Sequence, residues 1–330
     1  MRILFIGGTG NLSLDCTKRA LFKGMEVFHL NRGTRPERNQ PGVVSLTADV
    51  RDREAVAKVL AGLRFDAVVD FIAYLPEQVE ADIAALRDRC DQYVFISSAS
   101  AYRKPPVHHV ITESTPLSNP FWKYARDKID CERLIEAEAR AGRLAATIVR
   151  PSHTYGLGWI PTGFGSSDFT VARRILDGRE IIVQGDGQAL WTVTHARDFA
   201  VGLVGLLGNP AAIGETVQIM GEEALTWDAI HGAIGAALGR APKIVHLPSE
   251  FIARVDPELG SHFLGDKAWT SIFDCSKLKR LVPEFATRVS FHEGIRESVD
   301  WCLADPMRQR LNPAVDEAID RILGAWRSLA

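Results

Sequence analysis

The chain has 330 residues, 46% hydrophobic and 24% charged, with a formal net charge of -2; that length allows one large α/β unit or two domains. The composition is ordinary for a soluble globular protein, and the balanced charge offers no global basic field, so nucleic acid is not expected as a partner. No apolar run reaches the ~18 residues of a membrane span, and the N-terminal MRILFIGGTG is too brief for a signal segment; five scattered cysteines without metal-finger spacing read as reduced thiols, placing the protein in the cytoplasm.

In chain order, Arg2–Ile6 reads as an apolar strand, followed by helical spacing over Leu12–Lys23. Strand-like runs recur at Glu26–Leu30, Val43–Ala48, Asp66–Phe71, Gln92–Ser97 and Ala145–Val149, with helical stretches at Glu54–Leu63, Glu77–Arg89 and Tyr124–Ala141. Strands separated by helices of this length predict a parallel, doubly wound Rossmann sheet with right-handed crossovers. Their near-continuous Val/Ile/Phe character fits burial on both faces. After Pro151 the rhythm changes, with four glycines in Gly156–Ser167, then helical segments at Asp198–Leu207 and Trp227–Leu238. The expected organisation is a dinucleotide-binding domain over 1–155 plus about 178–200, and a smaller interleaved substrate domain over 156–177 and 201–307. A packing helix closes the chain at 308–330.

Gly7, Gly10 and Ser13 stand at the positions of a GxxGxxG turn between the first strand and first helix. Such a turn lets backbone N–H groups approach a pyrophosphate at a helix N-terminus. The predicted cofactor contacts there are Gly7, Thr9, Gly10, Asn11 and Leu12. Strand two ends in Asn31 and Arg32, with Arg35 nearby, where an NAD site usually has an acid. Arginine holds a phosphate through charge-assisted bonds, so NADP is expected, with NAD as the alternative. Asp49 and Val50 at the end of strand three are placed at the adenine, and Phe71, Ile72 and Ala73 at the end of strand four.

YARDK, at Tyr124–Lys128, resembles the YxxxK signature of the short-chain dehydrogenases/reductases. FISSASAY (Phe95–Tyr102), VRPSHTYG (Val149–Gly156), QGDG (Gln184–Gly187) and the closing FDCSKLKRL and FHEGIRESVDW resemble the extended, NAD-dependent epimerase/dehydratase-like members. The resemblance implies an NAD(P)-dependent oxidoreductase or epimerase acting on a hydroxyl/carbonyl small molecule. It makes Tyr124, Lys128 and Ser98 catalytic, adds Lys128, Pro151 and His153 to the cofactor contacts, and places Ser100, His153 and Trp191 at the substrate. Residues four apart on a helix share a face, so Lys128 is expected to lower the Tyr124 phenol from its ordinary value of about 10.

Several departures narrow the substrate. The acidic pair of the family's dehydratases is replaced by Ala99 and Ser100, and its Arg-Asp pair after the GDG turn by Trp191 and Thr192. Both changes disfavour sugar elimination and a nucleotide-sugar substrate. Adjacent His108 and His109 lack metal-ligand spacing, so no metal is expected. An RNA-associated protein like the chloroplast stem-loop-binding relatives, and a non-catalytic dinucleotide sensor, stand as alternatives. The family also implies a homodimer formed through Glu77–Arg89 and Tyr124–Ala141.

Overall fold

The computed structural model describes residues 1–329. Its centre is a seven-stranded parallel sheet built from β1 (Arg2–Ile6), β2 (Glu26–Asn31), β3 (Val43–Thr47), β4 (Ala67–Asp70) and β5 (Tyr93–Ile96), extended by strands Ala146–Pro151 and Thr216–Ile219. β1 pairs with β2 on one side and β4 on the other. The order of connection therefore reverses beside β1, opening a crevice at the carboxyl ends of β1 and β4, where doubly wound sheets bind ligands. Ile3 to Ile6, Ala67 to Val69 and Tyr93 to Ile96 are all buried, as strands covered on both faces require.

One face of the sheet is covered by α1 (Asn11–Phe22) and the helix Ala196–Leu206. The other is covered by α2 (Arg53–Val59), α3 (Pro76–Leu86) and α4 (Lys123–Arg140). A separate core unites Phe169, Ile181, Trp227, Phe263, Ile295 and Ile319. The closing helix Pro313–Arg327 is fastened to it by Arg174, which is nearly fully buried and bonds Asp316 at 2.5 Å and Asp320 at 2.7 Å.

The expected allocation of the second half differs in two places. Glu180–Gln184 pairs with Lys243–Leu247 in the smaller core rather than joining the main sheet. Thr216–Ile219, assigned to the substrate region, is the seventh strand of that sheet, hydrogen-bonded to Ala146–Pro151. Short strands such as TVQI carry no signal of which sheet edge they complete. On the two helices expected to pair with a second chain, Val79, Ile83, Leu86, Ile129 and Ile135 are buried within this chain. The outer face of α4 carries the ion pairs Arg133–Asp130 and Arg140–Glu136.

Candidate active site

The turn after β1 requires glycine for steric reasons. Gly7 has φ +82°, and a Cβ there would lie 2.5 Å from Ile72 Cγ2; a Cβ on Gly8 would meet the His29 ring at 2.4 Å. Ser13, in place of the third glycine, stitches the turn together. Its Oγ accepts from Gly10 N at 2.8 Å and donates to the Gly7 carbonyl at 2.7 Å. Beneath it Thr17 bonds both the Ser13 carbonyl and His29 Nε2 at 2.8 Å. Gly10 supplies no side-chain cap to α1, whose first turn has no acid, and the buried amide nitrogen of Asn11 has no partner. Free helix N–H groups and an orphaned amide donor suit a dinucleotide pyrophosphate.

This turn floors a cavity of about 570 Å³ that runs across the ends of β1, β2 and β4. Gly7, Thr9, Gly10, Asn11, Leu12, Asn31, Arg32, Asp49, Val50, Phe71 and Ile72, all expected as cofactor contacts, line it. No carboxylate stands at the end of β2, where Arg32, Gly33, Thr34 and Arg35 follow Asn31 along the wall. Arg38 braces this segment by donating to the Thr9 carbonyl at 3.3 Å. Burial and the nearby cations Arg35 and Arg310 lower its pKa, Glu37 only partly opposing them; positive charge is in local excess. Asp49 accepts from the Arg51 backbone at 3.0 Å, and Arg51 bonds the Ile72 carbonyl at 2.8 Å, tying the third and fourth strand ends together.

At the inner end of the crevice, α4 brings Tyr124 and Lys128 to the ends of β4 and β5. Lys128 is buried and donates to the carbonyls of Ala73 and Ile96, both at 2.7 Å. Its ammonium lies 4.8 Å from the Tyr74 ring and 4.5 Å from the Phe95 ring. Burial pushes its pKa down to about 8, against the opposing field of Asp70. The Tyr124 ring packs against Trp122 (4.7 Å) and Tyr74 (6.2 Å). Here the expected phenol chemistry needs correction. Burial raises the Tyr124 pKa well above its ordinary value, and the influence that lowers it is a hydrogen bond from Ser98, not Lys128. The lysine is directed at the two strand-end carbonyls, and desolvation of the phenol dominates. Tyr124 is therefore a protonated phenol, suited to donating.

Ser98 and Ser100 form a hydroxyl pair at 2.9 Å, the Ser100 N–H also donating to Ser98 Oγ at 3.2 Å. Asn119 fixes this group relative to α4. Its Nδ2 donates to the carbonyls of Ser100 (2.9 Å) and Gly265 (2.6 Å), and its Oδ1 accepts from Phe121 N and Trp122 N at the helix start. Behind Ser98, Ser97 donates to Glu132, whose carboxylate is fully buried and grips Arg150 at 2.5 and 3.0 Å. Behind Lys128, the buried Asp70 accepts from Ile72 N, Ala73 N and the Tyr93 hydroxyl. Its neighbour Asp82 has its pKa pushed up by burial and then by Asp70, so it holds its proton.

Pro151 is buried at its strand end. His153 follows it, lowered to about 3 by burial and the Lys267 charge, hence neutral. Trp191 is also buried, and packs at 5.5 Å against Trp227. His108 and His109 stack on each other at 4.6 Å, and no group of side chains among the described residues could hold a metal ion. Sequence reasoning missed Trp159, Arg51 and Tyr74 on the cavity wall, the positioning role of Asn119, and the buried lysines Lys104 and Lys267. Only the NP dipeptide before YxxxK hinted at Asn119; the lysines lie in segments without local pattern.

The chain matches the model of the NAD dependent epimerase/dehydratase family over residues 3–219. It is 28% identical over 292 residues to the 2'-dehydrokanamycin reductase of Streptomyces kanamyceticus, covering 87% of this chain and 81% of that protein. It is also 28% identical over 265 residues to the chloroplast stem-loop binding protein of 41 kDa b of Arabidopsis thaliana, covering 76% and 67%. Among solved structures, Pal from Bacillus thuringiensis superposes with a TM-score of 0.75 at 19% identity over 92% of this chain and 99% of that one. The UDP-glucuronic acid 4-epimerase of Bacillus cereus in complex with NAD superposes with a TM-score of 0.73 at 18% identity, over 91% and 96%.

Proposed function

Because the chain belongs to the NAD dependent epimerase/dehydratase family, and is thus an enzyme of this NAD-dependent oxidoreductase and epimerase type, we propose that it is an NADP-preferring reductase of the short-chain dehydrogenase kind. Its substrate would be a carbonyl, and in reverse a hydroxyl, of a sugar-like small molecule. The observation that carries this reading is the grouping of Tyr124, hydrogen-bonded to Ser98, and Lys128, bonded to the Ala73 and Ile96 carbonyls, directly behind the cavity-wall residues Tyr74 and Ile96. A dinucleotide would be held by the turn Gly7–Leu12, by Asn31, Arg32 and Arg35 at its adenosine end, and by Asp49 and Val50 at the base. When bound, it supplies or accepts the hydride.

The residues do the rest. Tyr124, kept protonated by burial, gives its proton to the carbonyl oxygen as negative charge develops there. Ser98 donates a hydrogen bond to the same oxygen, and Ser100 holds Ser98 in place. Lys128 locks the ends of β4 and β5 together, keeping the floor of the site rigid. His153, neutral, serves the site as a hydrogen-bonding wall rather than a cation. The reductase direction is further supported by the 2'-dehydrokanamycin reductase, whose name describes reduction of a sugar-like carbonyl. The absence of a carboxylate pair beside Ser98, where Ala99 and Ser100 stand, supports this reading over elimination. A carbonyl panel read by loss of NADPH absorbance tests the proposal. Turnover of at least one keto-sugar or related ketone is expected, and RNA retention without any turnover would overturn it.

A further inference from the structure

Two lysines beside this site have no role in the chemistry above, and both are buried. Lys104 is 3% exposed, and its hydrogen-bond partner is a neutral hydroxyl, Ser271 Oγ at 3.1 Å. Lys267 is 8% exposed and stands 3.5 Å from Asp266. Trp191 lies 5.9 Å from the Lys104 ammonium, and Trp122 lies 5.7 Å from that of Lys267. Trp122 also packs at 4.7 Å on the Tyr124 ring, which fixes this group next to the proton donor. The buried indole N–H of Trp191 has no partner.

The charges around Lys104 do not balance. The one carboxylate whose field reaches it is Asp266, already beside Lys267, and Lys267 itself adds a second positive charge. His153 is held neutral by burial and the Lys267 field; His262 is lowered by the same two causes, with Glu258, Asp266 and Asp256 opposing, of which Asp256 is paired with Arg321. An ammonium has three donors, and an unpaired buried cation is costly unless something compensates it. We infer that Lys104 and Lys267, with the Trp191 N–H, form a substrate subsite for an anionic group, a carboxylate or a phosphate, carried by the carbonyl compound reduced at Tyr124. The inference rests on the reductase reading for the location of the reacting carbonyl. A cationic amino sugar would be repelled by the same pair.

Two measurements on the NADP-loaded protein test it without turnover. The first is the melting temperature of Lys104→Met and Lys267→Met in chloride buffer. Removing an uncompensated charge should leave Lys104→Met melting at or above the wild type, as happens when a functional site carries stored cost. A fall of more than about 5 °C would mark Lys104 as a structural partner and overturn the inference. The second is the affinity for gluconate, glucose 6-phosphate, glucose and glucosamine at matched ionic strength, followed by tryptophan fluorescence. At least one anionic probe should bind tenfold or more tighter than glucose and glucosamine, and each lysine variant should erase most of that margin. The carboxylate and phosphate arms identify which anion the subsite takes. Equal or tighter binding of the neutral or cationic probes, or an anion preference unchanged in both variants, would overturn it. Reduction of a neutral ketone in that event would leave the reductase reading intact.

Discussion

Replacing Glu132 by Ala should damage both the fold and the site, by an amount the contacts allow to be worked out. Glu132 is fully buried and Arg150 is 3% exposed. Their bidentate pairing at 2.5 and 3.0 Å is supplemented by the Ser97 hydroxyl. Without the carboxylate, Arg150 keeps a carbonyl, that of Glu113 at 3.3 Å, and the Tyr102 ring at 4.8 Å. A buried guanidinium stripped of its counter-ion costs roughly 3–5 kcal/mol. In a protein this large, each kcal/mol moves the melting temperature by about 2 °C, so a fall of about 6–10 °C is expected in calorimetry. Ser97 also loses its acceptor, and the adjacent Ser98 loosens; turnover should drop on the order of tenfold, because small misplacements of reacting groups are expensive. The double variant Glu132→Leu/Arg150→Met should recover most of the stability, since apolar replacement of a buried pair is often neutral. A single-variant fall below about 2 °C, or a double variant no more stable than the single, would refute this reasoning.

Other expectations concern cofactor choice and titration. Arg32→Ala should weaken NADPH binding on the order of tenfold to a hundredfold, the value of a charge-assisted bond, while leaving NADH within about twofold; equal losses by fluorescence titration would remove the basis for an NADP preference. Asp82→Asn should stabilise the protein at neutral pH by ~1–2 kcal/mol. Asp82 holds its proton in the fold, through burial and Asp70, whereas the unfolded chain gives it up. Its contribution is therefore complete in acid and declines as pH rises from the ordinary aspartate range toward the raised folded value. Urea titrations should show that slope in the wild type and not in the variant. Reductive turnover should decline as pH rises through about 8, where Lys128 loses its charge. It should show no inflection near the ordinary histidine value, because burial and Lys267 hold His153 at about 3.

The sheet and cofactor cavity were legible in the sequence because they depend on local signals. Runs such as ILFI and AVVD announce buried strands, and Gly7 and Gly10 sit where only a small residue clears Ile72 and the helix start. Tyr124 and Lys128 share a face through helix geometry alone. What remained hidden depends on long-range placement. Nothing in TVQI says that it closes the far edge of the main sheet beside Ala146–Pro151. Asn119 bridges to Gly265 across 146 residues, and Lys104 meets Ser271 across 167. The Tyr124 phenol was misjudged for a related reason. Spacing reports which charges share a helix face, but burial, set by Trp122, Tyr74 and the packed crevice, decides the larger effect.

The most direct test of the account is Tyr124→Phe, examined by single-turnover oxidation of NADPH with a ketone that the wild type reduces. The substitution removes one hydroxyl from a ring whose packing against Trp122 is otherwise retained. NADPH affinity should be unchanged within about twofold, and the rate of hydride transfer should fall by on the order of 10²–10⁴. A variant that transferred hydride at the wild-type rate would contradict the assignment of Tyr124 as the proton donor.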